Sequence, residues 1–392
     1  MSISERYVTY DDMLSYLTSL LDGGARTKDL RMHKEVIQGA YRDIAMGNEW
    51  QYYMTEGRVN LDASYSTGTV AYNTSTNELT LTGGTWPTWA KYGRIEIGDD
   101  LYDVSKRVST TVLNLGTLKP TETISGGTKY TIHRSIYPLP SDMQRIYEVG
   151  IEKNNWVTYY ISPTEWQKRE RYFSGTGQTW AWTIMKDPHD KGVWALYVDP
   201  NPSTAEPLMF MYRRKPRVLR WSGTEAKART CTANGSTSAD PAITSVADSS
   251  GAVTMPSSMV GSIVRLAADS ALPTGFSGSN PFNEQHEITA VGSGTISILG
   301  TLSQAYSGAK LLISDPIDMS DNMLEAFKAQ MEYRLARFSN DQRGTVTAQK
   351  VADFELRRAL EAESRVAMNS SGRMTRYDYL FTHLSNVITT SS

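Results

Sequence analysis

Thr111-Val-Leu-Asn-Leu-Gly-Thr-Leu118 occurs a second time in this chain. Thr295-Ile-Ser-Ile-Leu-Gly-Thr-Leu302 repeats its Thr, Leu, Gly, Thr and Leu without a gap. The echo extends downstream, where Ser125-Gly-Gly-Thr-Lys-Tyr-Thr-Ile132 answers to Ser307-Gly-Ala-Lys-Leu-Leu-Ile313, one residue shorter. Upstream, Leu79-Thr-Leu81 with Pro87 and Gly93 resembles Val253-Thr-Met255 with Pro256 and Gly261. Ordered self-similarity of this kind implies one small β-rich unit present twice. Its strands are expected at 78–82, 94–97, 111–115 and 129–133 in the first copy, separated by Gly-, Asn- and Asp-containing turns.

On either side of these copies the hydrophobic period changes. Thr9 and Asp12 form a capping-box-like start for a helix over 9–21 carrying Met13, Leu17, Leu20 and Leu21. A second helix is expected over 27–46, with Leu30, His33, Ile37, Ala40, Tyr41 and Ile44 on one face. Ser320 is placed to cap a helix bearing Met323, Leu324, Phe327, Met331, Leu335 and Phe338. A more charged helix follows over 345–368. Between the copies, Ser162-Pro-Thr-Glu165 reads as a helix start, and Trp180–Ile184 with Val193–Val198 reads as a hairpin. The expected fold is therefore α+β: a helical core from N- and C-terminal hairpins, a central β-rich segment, and two inserted, mutually similar small β units. The corresponding divisions are 1–62, 63–143, 144–223, 224–318, 319–372 and a partner-docking tail over 373–392.

Composition narrows the function classes. The chain has 392 residues, 40% hydrophobic and 21% charged, which is globular rather than disordered. A net charge of −2 argues against a dedicated nucleic-acid binder. Cys231 is the lone cysteine, so neither an intramolecular disulfide nor a cysteine zinc site is expected. The first residues lack a signal-peptide pattern, and no run of about 18 apolar residues predicts a membrane helix.

Catalytic constellations are hard to find. His33, His133, His189, His286 and His383 are scattered, without metal-ligand spacing. Asp99-Asp100 follows Gly98 and reads as a turn rather than a carboxylate pair. Ser174-Gly-Thr-Gly177 lacks the Lys-Ser/Thr of a phosphate loop, and Cys231 has no base beside it. No enzymatic activity, cofactor or metal is expected. Arg213, Arg214, Lys215 and Arg217 form the one basic cluster near aromatics, suited to a phosphate or a subunit contact, or to a solvated strand end. The charged C-terminal helix, with Phe354, Arg358, Glu361 and Arg365, has a narrow apolar seam suited to a partner. The tail carries Tyr377, Tyr379, Leu380 and Phe381, too apolar for a free polar tail.

The whole pattern resembles a known family. Ala40-Tyr-Arg-Asp-Ile44 before Trp50, Glu165-Trp166…Tyr172, Leu196-Tyr-Val-Asp-Pro200, Met211-Tyr-Arg-Arg-Lys-Pro216 and the terminal amphipathic helices look like head-to-tail adaptor proteins of tailed bacteriophages, of the short-tailed type. These are also called connector or tail tubular proteins. The resemblance covers 1–61, 145–219 and 319–368 and leaves the two β units outside. It implies a structural virion protein, assembled in the host cytoplasm as a dodecameric ring under the portal protein, with a tail or nozzle protein below. It further implies that Phe354, Arg358, Glu361, Arg365, Tyr377, Tyr379, Leu380 and Phe381 contact the portal. DNA would pass the channel without specific binding, and no membrane partner is implied. A glycan-binding tail or fibre component is the alternative reading.

Overall fold

A computed structural model describes residues 7–20, 30–151, 156–170, 176–225, 228, 231–267, 284–338 and 342–369. The chain divides into two compact units: Tyr53–Lys215, and Met1–Tyr52 together with Pro216–Ser392.

The Tyr53–Lys215 unit begins with β1 (Met54–Leu61) and continues into a seven-stranded sheet. Its strands are β2 (Thr69–Asn73), β3 (Glu78–Thr82), β4 (Gly93–Ile97), β5 (Asp100–Arg107), β6 (Val112–Leu115), β7 (Ile124–Thr128) and β8 (Thr131–Arg134), in the order β7-β2-β3-β6-β5-β4-β8. Alternation fixes its inner face: Leu79 and Leu81, Ile95 and Ile97, and Leu113 and Leu115 are buried while their neighbours are not. Trp86, Ala90 and Tyr130 close that core, Trp86 meeting Tyr130 edge-on with ring centroids 5.1 Å apart.

The rest of this unit is a pair of facing sheets. The strands are β9 (Ile136–Pro138), β10 (Met143–Ile151), β11 (Trp156–Val157), β12 (Tyr159–Tyr160), β13 (Thr176–Gly177), β14 (Ala181–Lys186), β15 (Trp194–Asp199), β16 (Asn201–Pro202) and β17 (Glu206–Arg214). One sheet runs β1-β17-β10-β11 and the other β12-β14-β15-β9, with β13 and β16 pairing separately. Leu61, Val149, Leu208 and Phe210 from the first sheet pack with Tyr137, Trp182, Leu196 and Val198 from the second. The helix Pro163–Glu170 starts where Ser162 accepts the Glu165 N–H at 3.3 Å, and it buries Trp166.

The second unit holds β18 (Thr232–Gly235), β19 (Ile243–Asp248), β20 (Gly251–Ala252), β21 (Ile263–Ala267), β22 (Glu284–Gly292), β23 (Thr295–Ile298) and β24 (Tyr306–Ser314). The order β18-β24-β21-β22-β23-β19 returns to β18 through a further β18–β19 pairing, so six strands close into a barrel, with β20 appended to β19. Val264 and Leu266 of β21 face the barrel core with Leu311 and Ile313 of β24. The alternate residue Arg265 instead meets the helix Tyr10–Leu20, where its guanidinium forks onto the two oxygens of Asp12 at 2.9 and 2.5 Å. The same carboxylate accepts the Thr9 N–H at 2.9 Å, which starts that helix. The helices Leu30–Gly47 and Asp321–Phe338 pack together, Tyr41 edge-on to Phe327 and Asp43 accepting from Gln330 and Arg334. The helix Gln342–Asn369 lies against Asp321–Phe338.

The expected α+β architecture around a helical core is overturned. Strand accounts for 41% and helix for 28%, and the organising elements are a closed barrel, a partly open one and a pair of facing sheets. The physical reason is burial. Barrel strands place every second side chain in an apolar interior, whereas the long Gln342–Asn369 helix buries Ala352 and Ala359 and turns much of its surface to solvent.

The two barrels share a ladder as well as an order. In the first, Val104 pairs with Leu115, a bulge follows, and then Lys106 and Arg107 pair with Asn114 and Leu113. In the second, Ile288 pairs with Ile298, a bulge follows, and then Ala290 and Val291 pair with Ser297 and Ile296. Leu113-Asn-Leu115 is thus the counterpart of Ile296-Ser-Ile298, one residue out of step with the ungapped Leu-Gly-Thr-Leu match. Strand β24 does the work of β7 and β8 together, which Lys129 and Tyr130 separate. Upstream the correspondence differs from the expected one: Leu79–Leu81 pairs with β6, but β19 takes that place beside β23, and Thr254 makes only an isolated bridge to Ser293.

Candidate interaction surfaces

The helix Gln342–Asn369 presents two different faces. Ala352 and Ala359, seven residues apart, are buried, as expected where small side chains allow close approach to a neighbouring helix. Val351, Phe354, Arg358 and Glu361 follow one another at spacings of three, four and three residues and lie on an exposed stripe. Val351 is 46% exposed and Phe354 62%, while Val346 nearer the helix start is 53% exposed. A phenylalanine this open on a well-formed helix is an apolar contact without a described cover. Arg358 donates to Glu355 at 3.5 Å along the helix, an exposed pair worth little in stability. The side chain of Arg365 and the residues Tyr377, Tyr379, Leu380 and Phe381 lie outside the described part.

The basic cluster is distributed among different partners. Arg213 is 6% exposed, and it and Arg214 lie over the Tyr53 ring at 5.9 and 5.2 Å. The Lys215 N–H donates to the Asp142 carbonyl at 2.6 Å, and its ammonium reaches the Ser141 carbonyl at 3.4 Å. Arg217 belongs to the other unit, where it donates to Asp315, Ser262 and the Val260 carbonyl. Asp315 is a node: it also accepts the backbone N–H groups of Arg220 and Trp221 and the Ser262 hydroxyl at 2.7 Å. Sequence reasoning missed this aspartate, since its partners lie far from it in the chain.

The remaining polar residues are placed separately. His33 is buried on its helix, His133 sits between Ser64 and Glu96, and the His189 ring meets Tyr92 edge-on at 4.9 Å. His286 is buried beside Glu284 at 2.9 Å. Burial works to raise the Glu284 pKa, but its hydrogen bonds with His286 and the Ser303 N–H hold it below the ordinary carboxylate value. Asp100 is exposed and accepts from Tyr102 at 3.2 Å; Gly98, at φ 68°, turns the chain just before it. Among the described residues no group of three or more His, Cys, Asp or Glu side chains could hold a metal ion. No helix among them is long and apolar enough to cross a membrane. Cys231 is buried in the closed barrel. Comparison with known proteins finds no matching family model and no similar curated protein.

Proposed function

We propose that this chain is a structural head-to-tail adaptor subunit of a tailed bacteriophage virion, working without catalysis in a homo-oligomeric ring between the portal protein and the tail. The observation that carries this reading is the exposed stripe Val351, Phe354, Arg358 and Glu361 on the helix Gln342–Asn369. Apolar side chains flanked by charges of both signs are what a subunit or portal interface needs: an apolar centre for affinity and a charged rim for register. The sequence resemblance quoted above assigns this same helix to portal contact. The net charge of −2 suits a wall along which DNA slides, because dense phosphate contacts would hold it. In a ring the contact is heterologous and closes by rotation, so one stripe per subunit meets a different surface on its neighbour.

The test is light scattering and mass measurement of the full chain, alone and mixed with portal rings. The expected result is a defined assembly with portal, weakened at least about tenfold in Phe354→Asp because a central apolar anchor becomes a buried charge. Absence of any assembly with portal at high concentration would overturn the adaptor reading. Undiminished assembly by Phe354→Asp would remove the stripe from it.

A further inference from the structure

The outer face of the helix Gln342–Asn369 has an apolar centre that no described residue covers. At about 100° per residue, Phe354 falls between Val346 and Val351 around the helix axis, and all three side chains are exposed. The exposed cations Lys350, Arg357 and Arg358 stand on the same side of the helix. What fits such a surface is an amphipathic segment with apolar side chains at helical spacing and no cations of its own.

The chain itself supplies a segment of that chemistry. Residues 370–392 follow the helix, and in them Tyr377, Leu380, Phe381, Leu384, Val387 and Ile388 recur at the spacing of one helical face. Between 377 and 388 there is no Lys or Arg, and Asp378 is the one acidic residue, so its charge is opposite to that of Lys350, Arg357 and Arg358. The reach is sufficient. Phe354 stands 15 residues before Asn369, about 22 Å back along the helix axis. The seven residues Ser370–Arg376 can span at most about 23–25 Å. The segment can therefore return to Phe354 of its own chain. A connection this short gives it a local concentration on the order of millimolar, which a separate partner at micromolar concentration does not match.

We propose that residues 377–388 dock on the Val346, Val351 and Phe354 stripe of the same chain and cover it in the isolated subunit. Docking buries two apolar surfaces against each other that would otherwise both face water. The tail then regulates the surface that the adaptor reading gives to the portal: the stripe stays closed until the portal, with a larger complementary surface, displaces the segment. That displacement rests on the adaptor reading. The docking does not, since it stands on reach, spacing and charge within one chain.

The experiment is amide hydrogen exchange of the full chain without portal, read by mass spectrometry on peptides covering 377–388. These amides should exchange at least about tenfold more slowly in the wild type than in Phe354→Asp. Leu384→Ser, made from the side of the segment, should remove the protection along all of 377–388. Leu118→Asp, an exposed position in the Tyr53–Lys215 unit, should leave it unchanged. Far-ultraviolet circular dichroism of each variant separates loss of docking from loss of the fold. Protection should also be constant over about a hundredfold range of protein concentration, as an intramolecular contact requires. Protection that grows with concentration would give the segment to a second copy and overturn the proposal. Unprotected exchange in the wild type, or protection that survives Phe354→Asp, would overturn it too. Light scattering with portal rings on the same samples is a separate readout. Protection without portal assembly keeps the docking and removes the adaptor reading, and assembly without protection does the reverse.

Discussion

The two barrels share a strand order, a bulge and a fragment of sequence, yet they bury opposite leucines of that fragment. In Thr111–Leu118, Leu115 is 1% exposed and Leu118 is 55% exposed. In Thr295–Leu302 the first leucine, Leu299, is 59% exposed and the second, Leu302, is 3% exposed. Their glycines differ too: Gly300 takes φ 87°, whereas Gly116 has no positive φ and donates its N–H to the Asp103 carbonyl at 2.6 Å. Because strand side chains alternate with period two, a one-residue offset between strand and turn exchanges every inward and outward position. Identical letters therefore do different work, and the ladder, rather than the residue-by-residue match, establishes which positions correspond.

The largest expected asymmetry lies one strand away. By the same ladder correspondence, in which Ile95 pairs with Tyr102 and Val264 with His286, Glu96 of the open barrel answers to Arg265 of the closed one. Arg265 and Asp12 side chains are each 1% exposed, while Glu96 is 45% exposed beside His133. Removing one partner of a buried pair strands the other, at a cost of about 3–5 kcal/mol. Arg265→Ala is therefore expected to lower the chemical denaturation midpoint severely, and Glu96→Ala to shift stability by no more than about 1 kcal/mol. Equal effects would show that the two positions are not distinguished by burial. Arg265→Met tests the mechanism: it should destabilise less if paired with Asp12→Leu than alone, because the pair is then replaced rather than broken.

Next in size is the exchange of leucines itself. Leu115→Ala and Leu302→Ala each remove a fully packed side chain and should cost about 2–5 kcal/mol. Leu299→Ala and Leu118→Ala, mostly solvated already, should each stay within about 0.5 kcal/mol. Urea denaturation of the four variants checks the pattern. If Leu299→Ala and Leu115→Ala behave alike, the offset between the two ladders is wrong and the ungapped match is the true correspondence.

What the sequence made legible was local. Thr9 with Asp12 and Ser162 with Glu165 announced their helices because cap and first turn are close in the chain. The alternation in Glu78–Thr82 and Gly93–Ile97 announced strands. Barrel closure was not legible, because it rests on β18 meeting β24 as well as β19, a pairing about seventy residues apart whose cost is loop closure rather than any local signal. The helical periodicity of the chain ends was real, but it described a layer and not the organising core. Arg265 left a trace that could have been read: one cation inside Ile-Val-Arg-Leu-Ala, a strand buried at all five positions, demands an anion. Which anion, Asp12, only the fold reveals. The bulges of β10 that set Gln144 and Tyr147 out of the ladder carry no sequence signature.

The smallest expected contrast concerns charge at the barrel mouths. Continuing the ladder, Asp100 and Tyr102 of the open barrel answer to Glu284 and His286 of the closed one. The first pair is exposed at 3.2 Å and the second buried at 2.9 Å, so the same acid–aromatic placement is solvated in one barrel and enclosed in the other. Glu284→Gln should cost about 1–3 kcal/mol at neutral pH, the range for disturbing a buried charged hydrogen bond, and Asp100→Asn no more than about 0.5 kcal/mol. The Glu284 carboxyl has its folded pKa held below the ordinary value, despite burial, by His286 and the Ser303 N–H. Its contribution is then fully present above the unfolded carboxylate pKa of about 4.3 and is lost as pH falls through the lower folded value. The gap between wild type and Glu284→Gln should accordingly hold from neutral pH down to the unfolded pKa and close below it, whereas the Asp100→Asn gap stays small throughout. Denaturation midpoints across an acid series would show this directly. A Glu284→Gln gap that widens on acidification would mean that enclosure, rather than the His286 contact, controls the carboxylate.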